Sequence, residues 1–90
     1  MILVHKFKRL KIRGKWWHFD WDYRGKAYAW CIPEERRIQI NLRKHKSVPE
    51  LANTLVHEMT HAIVYELPHK DVRALSTAVQ RALTEGGIIA

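Results

Sequence analysis

The sequence predicts a single α+β domain over residues 1–90, with a small antiparallel sheet of about three to four strands followed by an antiparallel two-helix hairpin. Residues 1–46 contain alternating and aromatic-rich segments that are typical of strands. Residues 47–90 contain two apolar stripes at helical spacing, separated by a proline. A chain of 90 residues has room for one modest hydrophobic core and therefore for one domain.

The strands are predicted from alternation and from turn residues. Residues 15–23 are rich in aromatic side chains, which favour strands. Tyr28, Trp30 and Ile32 fall on one face of a second strand, which Pro33 ends. The clearest strand covers residues 37–42, where apolar side chains at 38, 40 and 42 alternate with polar ones at 37, 39 and 41. This pattern predicts one buried face and one face in water.

Both helices have recognisable ends. Ser47 and Glu50 form a capping box, in which the serine is the N-cap and the glutamate lies three residues later. We expect this helix to run to about Glu66, before Pro68. A second helix is expected to begin between residues 69 and 71 and to end at Gly86.

The first helix carries the sequence His57-Glu58-Met59-Thr60-His61, an H-E-x-x-H pattern. Residues four apart lie one turn apart on the same helix face, so both imidazoles can reach one tetrahedral zinc ion. Glu58 lies about 100° further around the helix, where it can accept a proton from an attacking water molecule. The apolar stripe of this helix, between residues 48 and 63, points away from the histidines. The pattern therefore predicts a catalytic Zn²⁺ site with Glu58 as general base.

A catalytic zinc site usually has a third protein ligand, and three residues are candidates. His69 follows the turn between the helices and lies on the inward side of the second helix, which ranks it first. Asp71 ranks second because an acidic residue in a first helical turn is also favoured by the helix dipole. Glu85, at the far end of the second helix, ranks third. Glu66 lies on the opposite face of the first helix and is rejected.

Around this motif, residues 25–83 resemble small phage- and bacteria-encoded metallopeptidases of the zincin superfamily and, more distantly, minimal gluzincins and SprT-like proteases. The resemblance is carried by residues 54–62 and by the order of a strand pair, a capped helix, a short turn and a second helix. It implies that His57 and His61 bind zinc, that Glu58 is catalytic and that the substrate is a peptide or protein. It also implies that the strand at residues 37–42 is an edge strand that holds an extended peptide by strand addition.

Two departures from related patterns concern the third ligand. Metzincins have a third histidine where this chain has Leu67, which argues against that group. Gluzincins use a glutamate from a following helix, and here only Glu85 could serve.

A basic N-terminal stripe suggests a second class of function. The net charge is +7, and six of the basic residues lie between positions 6 and 15. Such a stripe could attract nucleic acid, and the neighbouring aromatic residues could stack on bases. The interpretation favoured here is a solvated strand face, with the tryptophans in the core. The alternative is a catalytically weak or inactive zincin-like domain or a basic nucleic-acid-associated binding module. The six basic residues of the N-terminal stripe are Lys6, Lys8, Arg9, Lys11, Arg13 and Lys15.

The remaining composition suggests a cytoplasmic protein. Cys31 is the single cysteine and cannot form an internal disulfide bond. We expect it to be a buried small side chain in a strand, although a thiolate that blocks the zinc ion is the other interpretation. No apolar run approaches the roughly 20 residues of a membrane helix, and the basic start of the chain is unlike a signal peptide.

Overall fold

The computed structural model describes residues 2–87 and confirms the α+β class, with four strands followed by two helices. The helical half begins after a short 3-10 turn at residues 42–44. The elements are β1 (Arg9–Ile12), β2 (Lys15–Asp20), β3 (Ala29–Ile32), β4 (Arg37–Ile40), α1 (Val48–Ile63) and α2 (His69–Glu85).

The sheet is mixed, which corrects the expectation of a purely antiparallel sheet. The spatial order is β1-β2-β4-β3, with β2 and β4 parallel and the other two pairs antiparallel. After β2 the chain crosses to the far edge of the sheet and forms β3. It then returns through residues 33–36 and forms β4 between β2 and β3. Strand β4 is therefore central, and the expectation of an edge strand at residues 37–42 is wrong. The edge strands are β1 and β3.

The central position of β4 buries its apolar face. Ile38 and Ile40 are fully buried, and pairing on both sides satisfies the backbone that is buried with them. Aromatic side chains from β2 and from the residue just after it also belong to the core, together with Leu51 from the first turns of α1. Its buried members are Ile12, Trp17, Phe19, Trp21, Ile38, Ile40 and Leu51.

The polar face of β4 and of the residue after it is less exposed to solvent than the alternation predicts. Asn41 is only 5% exposed, although its position in the pattern predicts a side chain in water. Its amide donates a hydrogen bond to the carbonyl of Gly25 at 2.9 Å, and its backbone bridges to Asp22. Asn41 therefore holds the loop between β2 and β3 against the end of β4.

Helix α1 begins as the capping box predicts. The backbone N–H of Glu50 donates to Oγ of Ser47 at 3.3 Å, and the Glu50 carboxylate accepts from the N–H of Lys46 at 3.0 Å. The helix ends at Ile63, three residues before the expected end at Glu66. Pro68 disfavours helical backbone in the residue before it, and residues 65–67 form a turn instead.

His45 connects the sheet to α1. It is 6% exposed, and Nδ1 lies 2.8 Å from the carbonyl oxygen of Asn41. Nε2 lies 2.7 Å from Oγ1 of Thr54 on α1. Both ring nitrogens are thus satisfied, which makes His45 a structural link between the end of β4 and the helix that carries the motif.

The two helices form the predicted hairpin. Asn53 near the start of α1 donates to Oε1 of Gln80 near the end of α2 at 2.7 Å, as an antiparallel arrangement requires. Val72 and Ser76 of α2 are fully buried. No helix among residues 2–87 combines the length and apolar character that crossing a membrane requires.

Candidate metal centre

The two histidines of the motif meet on one face of α1. Their Nε2 atoms are 3.2 Å apart, and their ring centroids are 4.8 Å apart. Both side chains are half-buried, and the apolar face of the helix packs on the sheet through residues such as Leu51 and Met59. The histidine pair is therefore held at the rim of the core, where an ion can approach from solvent.

His69 joins this pair from the other helix. It is the first residue of α2, and the short turn after α1 returns it to the last turns of that helix. Its ring centroid lies 4.9 Å from that of His57 and 5.5 Å from that of His61. One ring nitrogen from each of the three histidines lies within 4.8 Å of the other two. The structure brings together no other such cluster among residues 2–87.

The donor set suits zinc by chemistry and by size. A tetrahedral ion with Zn–N bonds of about 2.0–2.1 Å separates its nitrogen ligands by about 3.3 Å. The 3.2 Å between Nε2 of His57 and Nε2 of His61 matches this value, and the third imidazole lies within 4.8 Å, so it needs a shift of at most about 1.5 Å. Three imidazoles with an open fourth position are a ligand set of catalytic zinc sites.

The other two candidates for third ligand lie elsewhere. Asp71 is exposed in the first turn of α2 and is not part of the histidine cluster. Glu85 lies at the opposite end of α2 and lines a shallow depression on the outer face of that helix. Of the remaining histidines, His5 and His18 are exposed and away from the cluster.

Glu58 lies beside the cluster in an environment that favours its neutral form. It is only 9% exposed, and its carboxylate takes part in no hydrogen bond or ion pair with residues 2–87. Burial raises the pKa of this carboxyl from 4.5 to about 7. A carboxyl with a pKa near the operating pH can both accept and return a proton, as a general base in hydrolysis must.

The imidazoles are favoured in the neutral form that binds metal. Burial, followed by the neighbouring His61, His69 and Arg73, lowers the pKa of His57 below its ordinary value. Burial and then His69 lower the pKa of His61. Neutral imidazole is the ligand state, so these shifts reduce the competition from protons at neutral pH.

A cleft of about 390 Å³ opens above the cluster. One wall is the edge strand β3 with Pro33, and the other is formed by α1, Tyr65 and His69. Trp30 and Tyr65 also line the cleft, and neither was predicted as a site residue from the sequence. The position of Tyr65 in the turn after the motif was the one available signal for it. A larger cavity of about 520 Å³ near the N-terminal segment contains one histidine, His45, whose ring nitrogens are already bonded.

Cys31 also lines the cleft, from strand β3. It is partly buried against the core, close to the environment expected for it. Burial raises the pKa of its thiol to about 11, with further contributions from the charges of Glu58 and Glu34. Its Sγ atom is not part of the group of ligand atoms formed by His57, His61 and His69.

Comparison with protein-family models, with curated proteins and with solved structures finds no match to this chain.

Proposed function

We propose that the protein is a zinc-dependent peptidase in which His57, His61 and His69 hold the metal ion and Glu58 is the general base. The observation that carries the proposal is the convergence of three imidazoles from two helices beside a buried carboxyl with a raised pKa. A pair of histidines on a solvated helix face would need neither the third histidine nor the buried carboxyl.

The three histidines and Glu58 have different roles in hydrolysis. Zinc at the three imidazoles would polarise the scissile carbonyl and lower the pKa of water. Glu58 accepts the proton as water attacks and then delivers it to the leaving nitrogen. Burial raises the pKa of the Glu58 carboxyl, which suits a group that accepts a proton and then returns it.

Strand β3 is the best support for a peptide or protein substrate. It is an edge strand, paired only with β4, and it forms one wall of the cleft. An extended peptide can add to such an edge through backbone hydrogen bonds. This function, expected of residues 37–42, is therefore proposed instead for Ala29–Ile32. The cleft is shallow, so backbone pairing rather than a deep pocket would position the substrate.

The test combines metal content with hydrolysis. We expect one zinc per chain by elemental analysis, lost in His57→Ala and weakened in His69→Ala. Zinc-loaded protein should cleave a mixture of quenched fluorogenic peptides, and Glu58→Gln should abolish cleavage while it retains zinc. Glu66→Gln is the matched control, because it makes the same chemical change at an exposed residue just after α1. A folded wild-type protein that takes up no zinc would refute the proposal.

The cellular compartment of the protein is also a proposal. The single cysteine is compatible with a reducing compartment, and we propose the cytoplasm on that ground.

A further inference from the structure

The face of the sheet that points away from the helices carries an unusual set of side chains. Partners in the strand register point to the same face, so the face can be followed across all four strands. On β2 it contains Trp16 and His18, while Trp17 and Phe19 point into the core. We call this surface the outer face; it consists of Arg9, Lys11, Trp16, His18, Asp20, Trp30, Ile32, Arg37 and Gln39.

Two tryptophans of the outer face are exposed. Trp16 is 49% exposed and Trp30 is 51% exposed, whereas Trp17 and Trp21 are buried. From strand spacing and rise, the two exposed residues are about 16 Å apart, with Trp30 level with Asp20. These two indoles therefore leave aromatic surface on this face of the sheet that a ligand can contact.

Cations surround the exposed indole on β2. The Arg9 guanidinium lies 4.2 Å from the centroid of the Trp16 ring, and the Lys11 ammonium lies 5.3 Å from it. Both cations are on the neighbouring strand β1, where no further strand covers them. The ring is thus held by cation–π contacts and still keeps half of its surface free. An aromatic ring flanked by two cations offers stacking to a base and charge to the adjacent phosphates.

The charge balance of the outer face is positive. Arg37 lies between the two tryptophans and pairs with the exposed Glu35 at 3.2 Å. Asp20 is the one acidic residue on the face itself, and its carboxylate accepts a hydrogen bond from the backbone of Asp22. Three side chains of this face, Arg9, Lys11 and Arg37, carry positive charge.

We propose that the outer face binds single-stranded nucleic acid, with Trp16 as the principal stacking side chain and Arg9 and Lys11 as phosphate contacts. The juxtaposition of exposed indoles with cations selects a ligand that has both rings and negative charge. The basic N-terminal stripe acquires a specific role here, because two of its members lie against Trp16.

Double-stranded DNA fits this surface poorly. Four strands span about 14 Å, and the major groove, about 12 Å wide, admits a helix or a two-stranded ribbon. Bases in a duplex are stacked on each other and cannot stack on Trp16 as well. Sequence preference should be weak, because an indole stacks on any base.

Binding can be measured by fluorescence anisotropy with labelled thymidine and uridine strands of about 12 nucleotides, a length in the range of single-strand sites. The full chain is used, and the blunt duplex of the same length is the comparison. Trp16→Ala should weaken binding between about 5-fold and about 150-fold. Tyr65→Ala is the matched control, because Tyr65 is 75% exposed and lies away from the outer face.

A second pair of variants tests the charge. Lys11→Gln should reduce the slope of log affinity against log salt by about 0.7. Lys70→Gln, at an exposed position on α2, should leave the slope unchanged. Trp30→Ala tests the other end of the face and replaces Trp16→Ala if that variant is poorly folded by circular dichroism. Because Trp30 also lines the cleft beside the histidines, its binding is compared with that of the metal-free wild-type protein.

Three results would overturn the proposal. They are binding of duplex at least as tight as binding of single strands, competition by poly-glutamate equal to that by unlabelled strand, and no loss of affinity in either tryptophan variant. The last two would indicate an acidic protein or a general polyanion as the ligand. Metal content and Glu58→Gln should not change single-strand binding, so this result is independent of the peptidase proposal.

Discussion

Replacing Glu58 with glutamine should stabilise the metal-free protein while removing the proposed general base. Burial raises the pKa of this carboxyl in the folded state from 4.5 to about 7. The fold therefore favours the neutral form. The contribution of Glu58 to stability is fully present below about pH 4.5 and is lost as the pH rises through about 7. Glutamine stays neutral at every pH and avoids this loss.

The size of the effect follows from the pKa change. Each pKa unit corresponds to about 1.4 kcal/mol, so the ionised carboxylate costs at most about 3.5 kcal/mol. The cleft is open to water, which screens the charge, and we therefore expect about 1–2 kcal/mol. For a domain of this size, this corresponds to a melting temperature about 5–10 °C higher in Glu58→Gln.

The assay is thermal unfolding followed by circular dichroism, with a chelator present, at about pH 8.5 and about pH 5. The gain in Glu58→Gln should be large at the higher pH and much smaller at the lower. The shifted pKa values of the histidines are common to both proteins and cancel in the difference. Bound zinc should reduce the gain, because a nearby cation favours the ionised carboxylate. A Glu58→Gln protein that melts at or below the wild-type temperature at the higher pH would refute the reasoning.

Three further predictions concern the ligand set and the core. His69→Ala should weaken zinc binding at least about 10-fold in competition with a chromogenic chelator, whereas Asp71→Ala should not; the reverse order would exclude His69 as the ligand. His45→Ala should lower the free energy of unfolding in urea by about 2–3 kcal/mol, since it leaves one buried and one partly buried partner unsatisfied, and a loss below about 0.5 kcal/mol would contradict its structural role. Ile38→Ala should cost about 3–4 kcal/mol in the same experiment, and Leu75→Ala, at a side chain that is 44% exposed, less than about 1 kcal/mol; similar losses would mean that the core is elsewhere.

Local signals in the sequence were sufficient to predict where both helices begin. The capping box at Ser47 and Glu50 and the start of the second helix at His69 depend on contacts within one turn of the chain. The end of α1 was predicted less well. Pro68 acts on the residue before it, but the turn it imposes extends back to Val64.

The order of the strands in the sheet could not be predicted from local sequence signals. Alternation at Ile38 and Ile40 identified a strand with one buried face, but alternation is the same in a central and in an edge strand. Whether β3 lies between β2 and β4 or outside them depends on contacts between segments distant in the chain. The burial of Asn41 likewise depends on a partner at Gly25, which no local pattern indicates.

In the candidate site too, some features are set by local sequence and others by tertiary contacts. Helical periodicity alone places His57 and His61 on one face with Glu58 beside them, because both positions are set by the geometry of a single helix. The sequence left His69, Asp71 and Glu85 open, since the third position depends on how α2 packs against α1. Tertiary structure brings His69 to the pair and leaves Asp71 and Glu85 outside it. It also desolvates the Glu58 carboxyl and puts strand β3 at the cleft, because burial and neighbours across the chain arise only when the helices dock on the sheet.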